Sequence, residues 1–321
     1  MNGKWMPLCL AIMLVIGLPR LLYGLRDLTR VDSDITTTLS METSDEIPME
    51  TIRVLTEEGT VVMELEEYLL GVLLCEIPGE FHMEAQKAQA VVARTYAIQT
   101  VLHKNKHSEN AICTKPECCQ GYLNPTQFIG SGGNVERVAL AKLALSQTSA
   151  QVLTYENSLI DATYFSCSGG QTEDALAVWG EDIPYLQSVP SPGEENAAHF
   201  RDSVEFSSQA FQKALGQQLT GAPTDWFGHV EYTKGGGIKS ILIGDKRYTG
   251  TELRTILDLR STAFSITTLH DTVVITTKGF GHRVGMSQYG AQAMALTGAN
   301  YEEILAHYYP GTVIDKADFI G

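Results

Sequence analysis

Positive charge is scarce in this chain. Among 321 residues there are 23 Lys and Arg against 38 Asp and Glu, a formal net charge of -15. That balance argues against nucleic acid as a partner, since such binding rests on Lys and Arg contacts to phosphate, and against peripheral attachment to anionic lipid. Charged residues of both signs make up only 19% against 44% hydrophobic, which excludes a disordered chain and implies a globular protein with a real core. There is no internal repeat and no low-complexity array. No G-x-S-x-G elbow is present for a serine hydrolase, and no H-E-x-x-H for a zinc hydrolase. The glycine-punctuated stretch Gly279 to Gly285 lacks the Lys of a phosphate loop and the βαβ context of a dinucleotide site.

Long apolar runs are also missing. The best, Trp5 to Leu18, falls short of the roughly 20 residues of a spanning helix. It follows Lys4 and is extended by Leu21 to Leu25 after Pro19-Arg20, with Trp5, Tyr23 and Arg20 placed as interfacial anchors. No small-x-small cleavage site follows cleanly, so the expectation for residues 1–28 is a membrane anchor, with a cleaved signal peptide as the alternative. Residues 29–50, rich in Ser, Thr, Asp and Glu, read as a solvated stalk, and 51–321 as the folded domain.

What is present is most telling around Glu76. From Leu65 to Glu76 the residues Leu65, Tyr68, Leu69 and Val72 form one apolar stripe at helical spacing. Glu76 continues that stripe, while Glu66 and Glu67 take the polar side, and Pro78 stops the helix. A carboxyl held against apolar surface is pushed towards its protonated form, as a general acid requires; the plain alternative is a Glu that solvates a helix end. A second helix, Met83 to Thr100, presents small residues, Ala85, Ala88 and Val92, which allow close packing against the first. Lys87 and Arg94 share a face there. Both could bind substrate oxygens; for Lys87 a solvated face is the equal alternative, and Arg94 reads as buried and paired.

A strand is expected over Leu159 to Phe165, followed by Ser166-Cys167-Ser168-Gly169-Gly170-Gln171, where small side chains let a ligand approach the backbone. Cys167, with no His partner in its motif, reads as a small core residue. His229 to Lys278 reads as β-rich, and Met286 to Leu296 and Tyr301 to Tyr309 as helices. The six cysteines include no CxxC pair. His107, Cys113 and Cys119 nevertheless offer the mixed nitrogen and sulfur set that zinc takes at about 2.0 to 2.3 Å. A Cys113–Cys118 disulfide with no metal is the alternative.

Several of these segments together resemble the stage II sporulation protein D family, lytic transglycosylases of spore formation. The resemblance lies in Leu74-Cys75-Glu76-Ile77-Pro78 with the helix after it, Tyr164 to Thr172, Leu259 to Phe264, Gly279 to Ala291 and His307 to Thr312, in the family's order from roughly Ile52 to Gly321. It implies an α+β fold, helical segments around a β-rich body, with two lobes and a cleft between them. It implies cleavage of peptidoglycan glycan strands at the N-acetylmuramic acid to N-acetylglucosamine bond with Glu76 as the acid, leaving a 1,6-anhydro end. A hydrolase would need a second carboxyl, and none can be assigned, although Glu173, Glu181 and Asp182 lie near the Ser-Cys-Ser segment.

Substrate contacts are expected from Lys87, Arg94, Tyr96, Ser166, Ser168, Gln171, His282, Gln288 and Tyr289. The family's zinc site matches His107, Cys113 and Cys119, with the metal holding a loop over the cleft rather than doing chemistry. A single-pass anchor would leave the body outside the cytoplasm. The implied partners are the sporulation amidase (stage II sporulation protein P) and the membrane protein stage II sporulation protein M. Arg283 and Asp258 stand where many family members have Gly. A wall-binding or amidase-enhancing protein without catalysis is the competing class. Zinc-dependent hydrolysis is a third, weaker one.

Overall fold

The fold is that of a computed structural model, described for residues 50–104 and 106–317. The expected anchor at 1–28, and the stalk up to residue 49, lie outside the described residues. Among the described residues no helix is long and apolar enough to cross a membrane.

The chain begins with an antiparallel hairpin, β1 (Thr51–Thr56) and β2 (Gly59–Glu64), which runs straight into α1 (Leu65–Glu76). Pro78 forces Ile77 into an extended conformation (φ -121°, ψ 135°), so α1 ends at Glu76 as its sequence predicts. α2 (Met83–Gln99) follows, with the His82 side chain accepting from the Glu84 N–H at its start. A short strand β3 (Ile112–Cys113) pairs in parallel with β1. Asn124 and Asn134 cap α3 (Pro125–Gly130) and α4 (Val135–Gln147). Then come β4 (Gln151–Tyr155), β5 (Ser158–Leu159), β6 (Tyr164–Phe165) and α5 (Ala175–Trp179).

A contiguous block contains β7 (Arg201–Ser207), α6 (Ser208–Leu215), β8 (Phe227–Tyr232), β9 (Ile238–Ile243), β10 (Lys246–Thr249), α7 (Gly250–Ile256), β11 (Phe264–Leu269) and β12 (Thr272–Lys278). The chain closes with β13 (Met286–Ser287), α8 (Gln288–Leu296), α9 (Tyr301–Tyr308) and β14 (Val313–Lys316).

The class is α+β, as expected, and the described residues form two hydrophobic cores. The larger is built around α2, whose Ala85, Ala88, Ala90, Val91, Val92, Ala93 and Ala97 are all fully buried. Its small side chains let α1, α4, α8, α9 and β4 pack against one helix, more neighbours than the pairing with α1 read from the sequence. The smaller core lies within the block from β7 to β12, between the sheets β11-β12-β7 and β10-β9-β8, with Phe211 stacked on Trp226 at 6.1 Å. The Gly279 N–H donates to the Phe200 carbonyl at 2.9 Å, so the chain leaves this block beside where it entered.

The single strand expected over Leu159 to Phe165 is two. Ala162 N–H bonds Ile160 O and Thr163 N–H bonds Asp161 O, and these tight turns break the run. β5 joins β4, while β6 pairs in parallel with β13. The helix expected from Met286 starts two residues later for the same reason, because Met286 and Ser287 are that strand.

Candidate active site

Three segments bracket the end of α1: the turn into α2, strand β6, and the loop that follows the cysteine cluster. The loop is seated by a notch. A Cβ on Gly71 would lie 2.1 Å from the Tyr122 ring, so only glycine admits Tyr122, which stacks on Tyr68 at 5.8 Å. Leu123 N–H bonds the Gly71 carbonyl at 3.0 Å. This brings the Gly121 N–H to 2.5 Å from Glu76 Oε1. Gly121 has no room for a side chain either, since a Cβ there would sit 2.7 Å from Cys75 Sγ and 2.9 Å from Glu76 Oε1. Tyr164 from β6 also faces Glu76, and its hydroxyl accepts from Gln120 Nε2 at 3.2 Å. Burial pushes the Glu76 carboxyl up to about 7, against the opposing pull of the Gly121 N–H and Tyr164. Arg137 of α4 closes the helix end, donating to the carbonyls of Leu74 at 2.6 Å and Ile77 at 2.9 Å.

The turn after Glu76 docks on α8. Phe81 meets the Tyr289 ring edge-on at 5.1 Å, and the His82 N–H bonds Gln292 Oε1 at 2.6 Å. Gln288 is buried beside them and donates to Gln89 Oε1 at 3.4 Å. Tyr96 of α2 packs edge-on against Tyr164. Ser166 follows β6 directly and is half-buried, its carbonyl accepting from the Tyr289 N–H.

The remaining sequence-read residues are held mainly by the protein itself. Arg94 is buried in a bidentate pair with Glu66, at 2.7 and 3.0 Å, and also bonds the Gln151 carbonyl. Lys87 pairs with Glu84 at 2.7 Å beneath the Tyr301 ring. His282 is buried and neutral. Its Nδ1 accepts from the Val284 N–H, so its Nε2 donates to the Tyr164 carbonyl at 3.1 Å, and burial holds its pKa down at about 3.

Gln171 donates to Ser188 Oγ. The Ser168 N–H and hydroxyl, the Gly169 N–H and the Cys167 thiol all donate to one oxygen of Glu194, whose other oxygen accepts from Ser191 and Ser287. Cys167 is thus a small buried residue, as read. Asp258 (φ 51°) and Arg283 (φ 67°) both adopt the left-handed backbone that glycine favours.

The sequence reading gave no role to Gly121, Gln120, Tyr164, Arg137 or Glu194. Tyr164 stood in a quoted motif, and Gly121 lies two residues beyond a proposed metal ligand; those were the available signals.

The metal cluster is one residue larger than expected. His107, Cys113, Cys118 and Cys119 place one ligand atom each within 4.8 Å of one another. Both Cys118 Sγ and Cys119 Sγ are 3.4 Å from His107 Nε2. Tetrahedral zinc, at about 2.0 to 2.3 Å from nitrogen and sulfur, needs neighbouring ligands roughly 3.5 to 3.8 Å apart, so the set fits the ion. Lys115 O accepts from the N–H groups of both Cys118 and Cys119, and that turn swings both sulfurs towards His107. A hydrogen bond from Cys119 pulls the Cys113 thiol down to about 5, so one thiolate ligand is favoured from the start. With Cys118 in the set the fourth position is filled by protein, the pattern of a structural site. Cys113, Cys118 and Cys119 are free thiols, without the Cys113–Cys118 disulfide.

Residues 56–155, which hold Glu76 and the cysteine loop, match the Stage II sporulation protein (SpoIID) family model. Stage II sporulation protein D of Bacillus amyloliquefaciens is 39% identical over 259 residues, covering 79% of this chain and 75% of that protein. Its counterpart in Bacillus subtilis (strain 168) is 36% identical over the same shares. The amidase enhancer of Bacillus subtilis (strain 168) is 28% identical over 299 residues, 77% of this chain but 40% of its own length. At these identities and coverages the chain belongs to the stage II sporulation protein D family.

Proposed function

We propose that the protein is a lytic transglycosylase of peptidoglycan, with Glu76 as its one acid and base, acting during sporulation. The observation that carries this reading is a carboxyl poised near neutrality by burial at the end of α1. Protonated Glu76 gives its proton to the glycosidic oxygen between N-acetylmuramic acid and N-acetylglucosamine, and that bond breaks. The C6 hydroxyl of the muramic residue attacks its own anomeric carbon, and the Glu76 carboxylate takes the hydroxyl proton. The acid is regenerated, no water enters, and the new end is 1,6-anhydro. A nucleophile within the substrate has high effective molarity, so no second carboxylate is needed.

In this reading the glycan lies between the two lobes, and Ser166 and Tyr289 are the sugar contacts nearest the acid. Of the wider set, Lys87, Tyr96 and Gln171 would line that cleft, while Arg94, Ser168, His282 and Gln288, buried and bonded within the protein, would hold its wall in place. Zinc at His107, Cys113, Cys118 and Cys119 would hold the loop that carries Gly121; when bound it supplies a fixed crosslink. The body works outside the cytoplasm, tethered by the N-terminal segment, beside the stage II sporulation proteins P and M.

Digestion of peptide-free glycan strands in heavy-oxygen water, read by mass spectrometry, tests the reading. Anhydro ends without label are expected, and Glu76→Gln should lower their formation by about 10² to 10⁴-fold. Labelled, reducible ends would make the protein a hydrolase. Glycan binding with no cleavage by the wild type would favour the amidase-enhancer class named by the 28% identical relative.

A further inference from the structure

The chain's few cations are unevenly placed. Residues 201–278, the block that holds the smaller core, carry nine Lys and Arg against eight Asp and Glu, while the remaining residues carry 14 against 30. Two of these cations stand directly opposite each other where the block joins the larger core. Arg201 opens β7, Lys278 ends β12, and the antiparallel register pairs them, so both side chains leave the same face of the sheet. Both are exposed. Like charges so placed destabilise a sheet, and among the described residues no ion pair or side-chain hydrogen bond offsets either one. Asp202 lies on the opposite face and is taken by Arg260 at 2.6 Å. The next pair on the cationic face, Ser203 and Thr276, is neutral and bonded to itself at 2.9 Å. Glu205 is four residues along the strand from Arg201, about 13 Å away.

The pair also borders the loop from Ser166 to Gly170. A Cβ on Gly169 would lie 2.9 Å from Lys278 Cβ. Phe280, two residues on, exchanges backbone hydrogen bonds with Cys167 at 2.7 and 3.2 Å. At the other end of the loop the Ser166 carbonyl accepts from Tyr289, whose ring meets Phe81 in the turn after Glu76. The two cations therefore sit at the far end of a loop that reaches the acid's own turn.

We propose that Arg201 and Lys278 form a subsite for a carboxylate of the glycan strand, the lactyl carboxylate of a muramic residue that carries no peptide. This rests on the reading of the protein as a glycan-cleaving enzyme. The chemistry selects that group. Hydroxyls and acetamido groups of a bare strand are neutral, and its lactyl carboxyls are the anions that two adjacent cations can hold by charge-assisted hydrogen bonds. The subsite gives a chain of net charge -15 a local hold on an anionic polymer.

The test uses the full-length protein carrying Glu76→Gln, so that strands stay intact, and measures co-sedimentation with sacculi freed of peptide and teichoic acid. One batch is untreated; in another, carbodiimide and methylamine turn the lactyl carboxyls into neutral amides. Adding Arg201→Gln/Lys278→Gln should raise the Kd for untreated sacculi about fivefold, as two exposed charge contacts allow, and added salt should shrink the difference. Amidation should weaken the parent by the same factor and leave the double variant unchanged. Arg201→Lys/Lys278→Arg keeps both charges and should bind as the parent does. With Glu76 restored, the loss should appear in KM for soluble strands.

Equal affinity of parent and double variant, a parent indifferent to amidation, or a loss confined to kcat would overturn the proposal. So would a double variant that loses binding to polyglycerol phosphate but not to sacculi, which would make the pair a teichoic acid site. The amidation arm needs no variant and decides the question even if a substitution fails to fold. Release of anhydro ends by the Glu76→Gln protein would defeat the functional reading instead, and the comparison of charged with amidated sacculi would still decide this inference.

Discussion

Replacing Glu76 by Gln should make the protein more stable at neutral and alkaline pH while abolishing its activity. The carboxyl titrates at about 7 in the folded protein against an ordinary value of 4.5. An acid whose pKa rises on folding holds a proton in the native state that the unfolded chain has already released. Stability therefore falls as pH climbs from about 4.5 to about 7, and the full cost is present above 7. The difference of 2.5 units, 7 minus 4.5, corresponds to about 3 kcal/mol at one unit per 1.36 kcal/mol. Gln carries no such charge, and its amide oxygen can still accept from the Gly121 N–H. Urea denaturation of wild type and Glu76→Gln should give similar stabilities at pH 4.5. The variant should lead by up to about 3 kcal/mol at pH 8, or roughly 6 °C in thermal midpoint for a chain of this size. A gap that is constant with pH, or a wild type that gains on the variant as pH rises, would refute the claim that burial sets this acid. The same pKa predicts that kcat/KM of the wild type declines above about pH 7 as the acid is lost.

Purified protein should carry about one zinc per chain, and Cys118→Ser and Cys119→Ser should each lose it on metal analysis; zinc retained in Cys118→Ser alone would return the site to three protein ligands. Gly121→Ala should cost at least about tenfold in turnover with zinc retained, because the added Cβ would lie 2.9 Å from Glu76 Oε1 and must push the loop's N–H off the acid. Full activity in Gly121→Ala would remove that N–H from the mechanism.

The parts of the structure legible in the sequence are those set by neighbours along the chain. The apolar stripe of α1 and Pro78 fixed its limits to the residue, and Ala85, Ala88 and Val92 announced a tightly packed α2. Arg94 was legible as a buried, paired cation because it sits among Ala and Val. The misread strand fails for a local reason too. An apolar run from Leu159 to Phe165 does not reveal that successive backbone turns divide it. What stayed hidden depends on distant partners. Nothing around Glu194 signals that it collects donors from Ser168, 26 residues before it, and Ser287, 93 residues after it. The segment Ser166 to Gly170 looks like a ligand-binding loop because it offers small donors and glycines, and Glu194 takes several of those donors from within.

That internal use of carboxylates bears on the chemistry. A glycan hydrolase would need a partner for Glu76, and the acids near the Ser-Cys-Ser segment are the natural suppliers. Glu173 is fully buried, with Oε1 taken by Arg283 at 3.2 Å, Thr233 at 2.7 Å and the Gly237 N–H at 2.9 Å. Its Oε2 has no partner but no access either, since a Cβ on Gly235 would lie 2.6 Å from it. Arg283 also bonds the Gly235 carbonyl, so this ion pair fastens the β8–β9 turn of the smaller core to the larger. Glu194 is buried and fully used, and Glu181 and Asp182 are exposed in the loop after α5. Glu173 and Glu194 are therefore closed to a substrate, a setting unlike that of a water-activating base, which must be open to it. Glu76 is half-buried as a residue and carries a raised pKa, and a substrate that brings its own hydroxyl asks for no more.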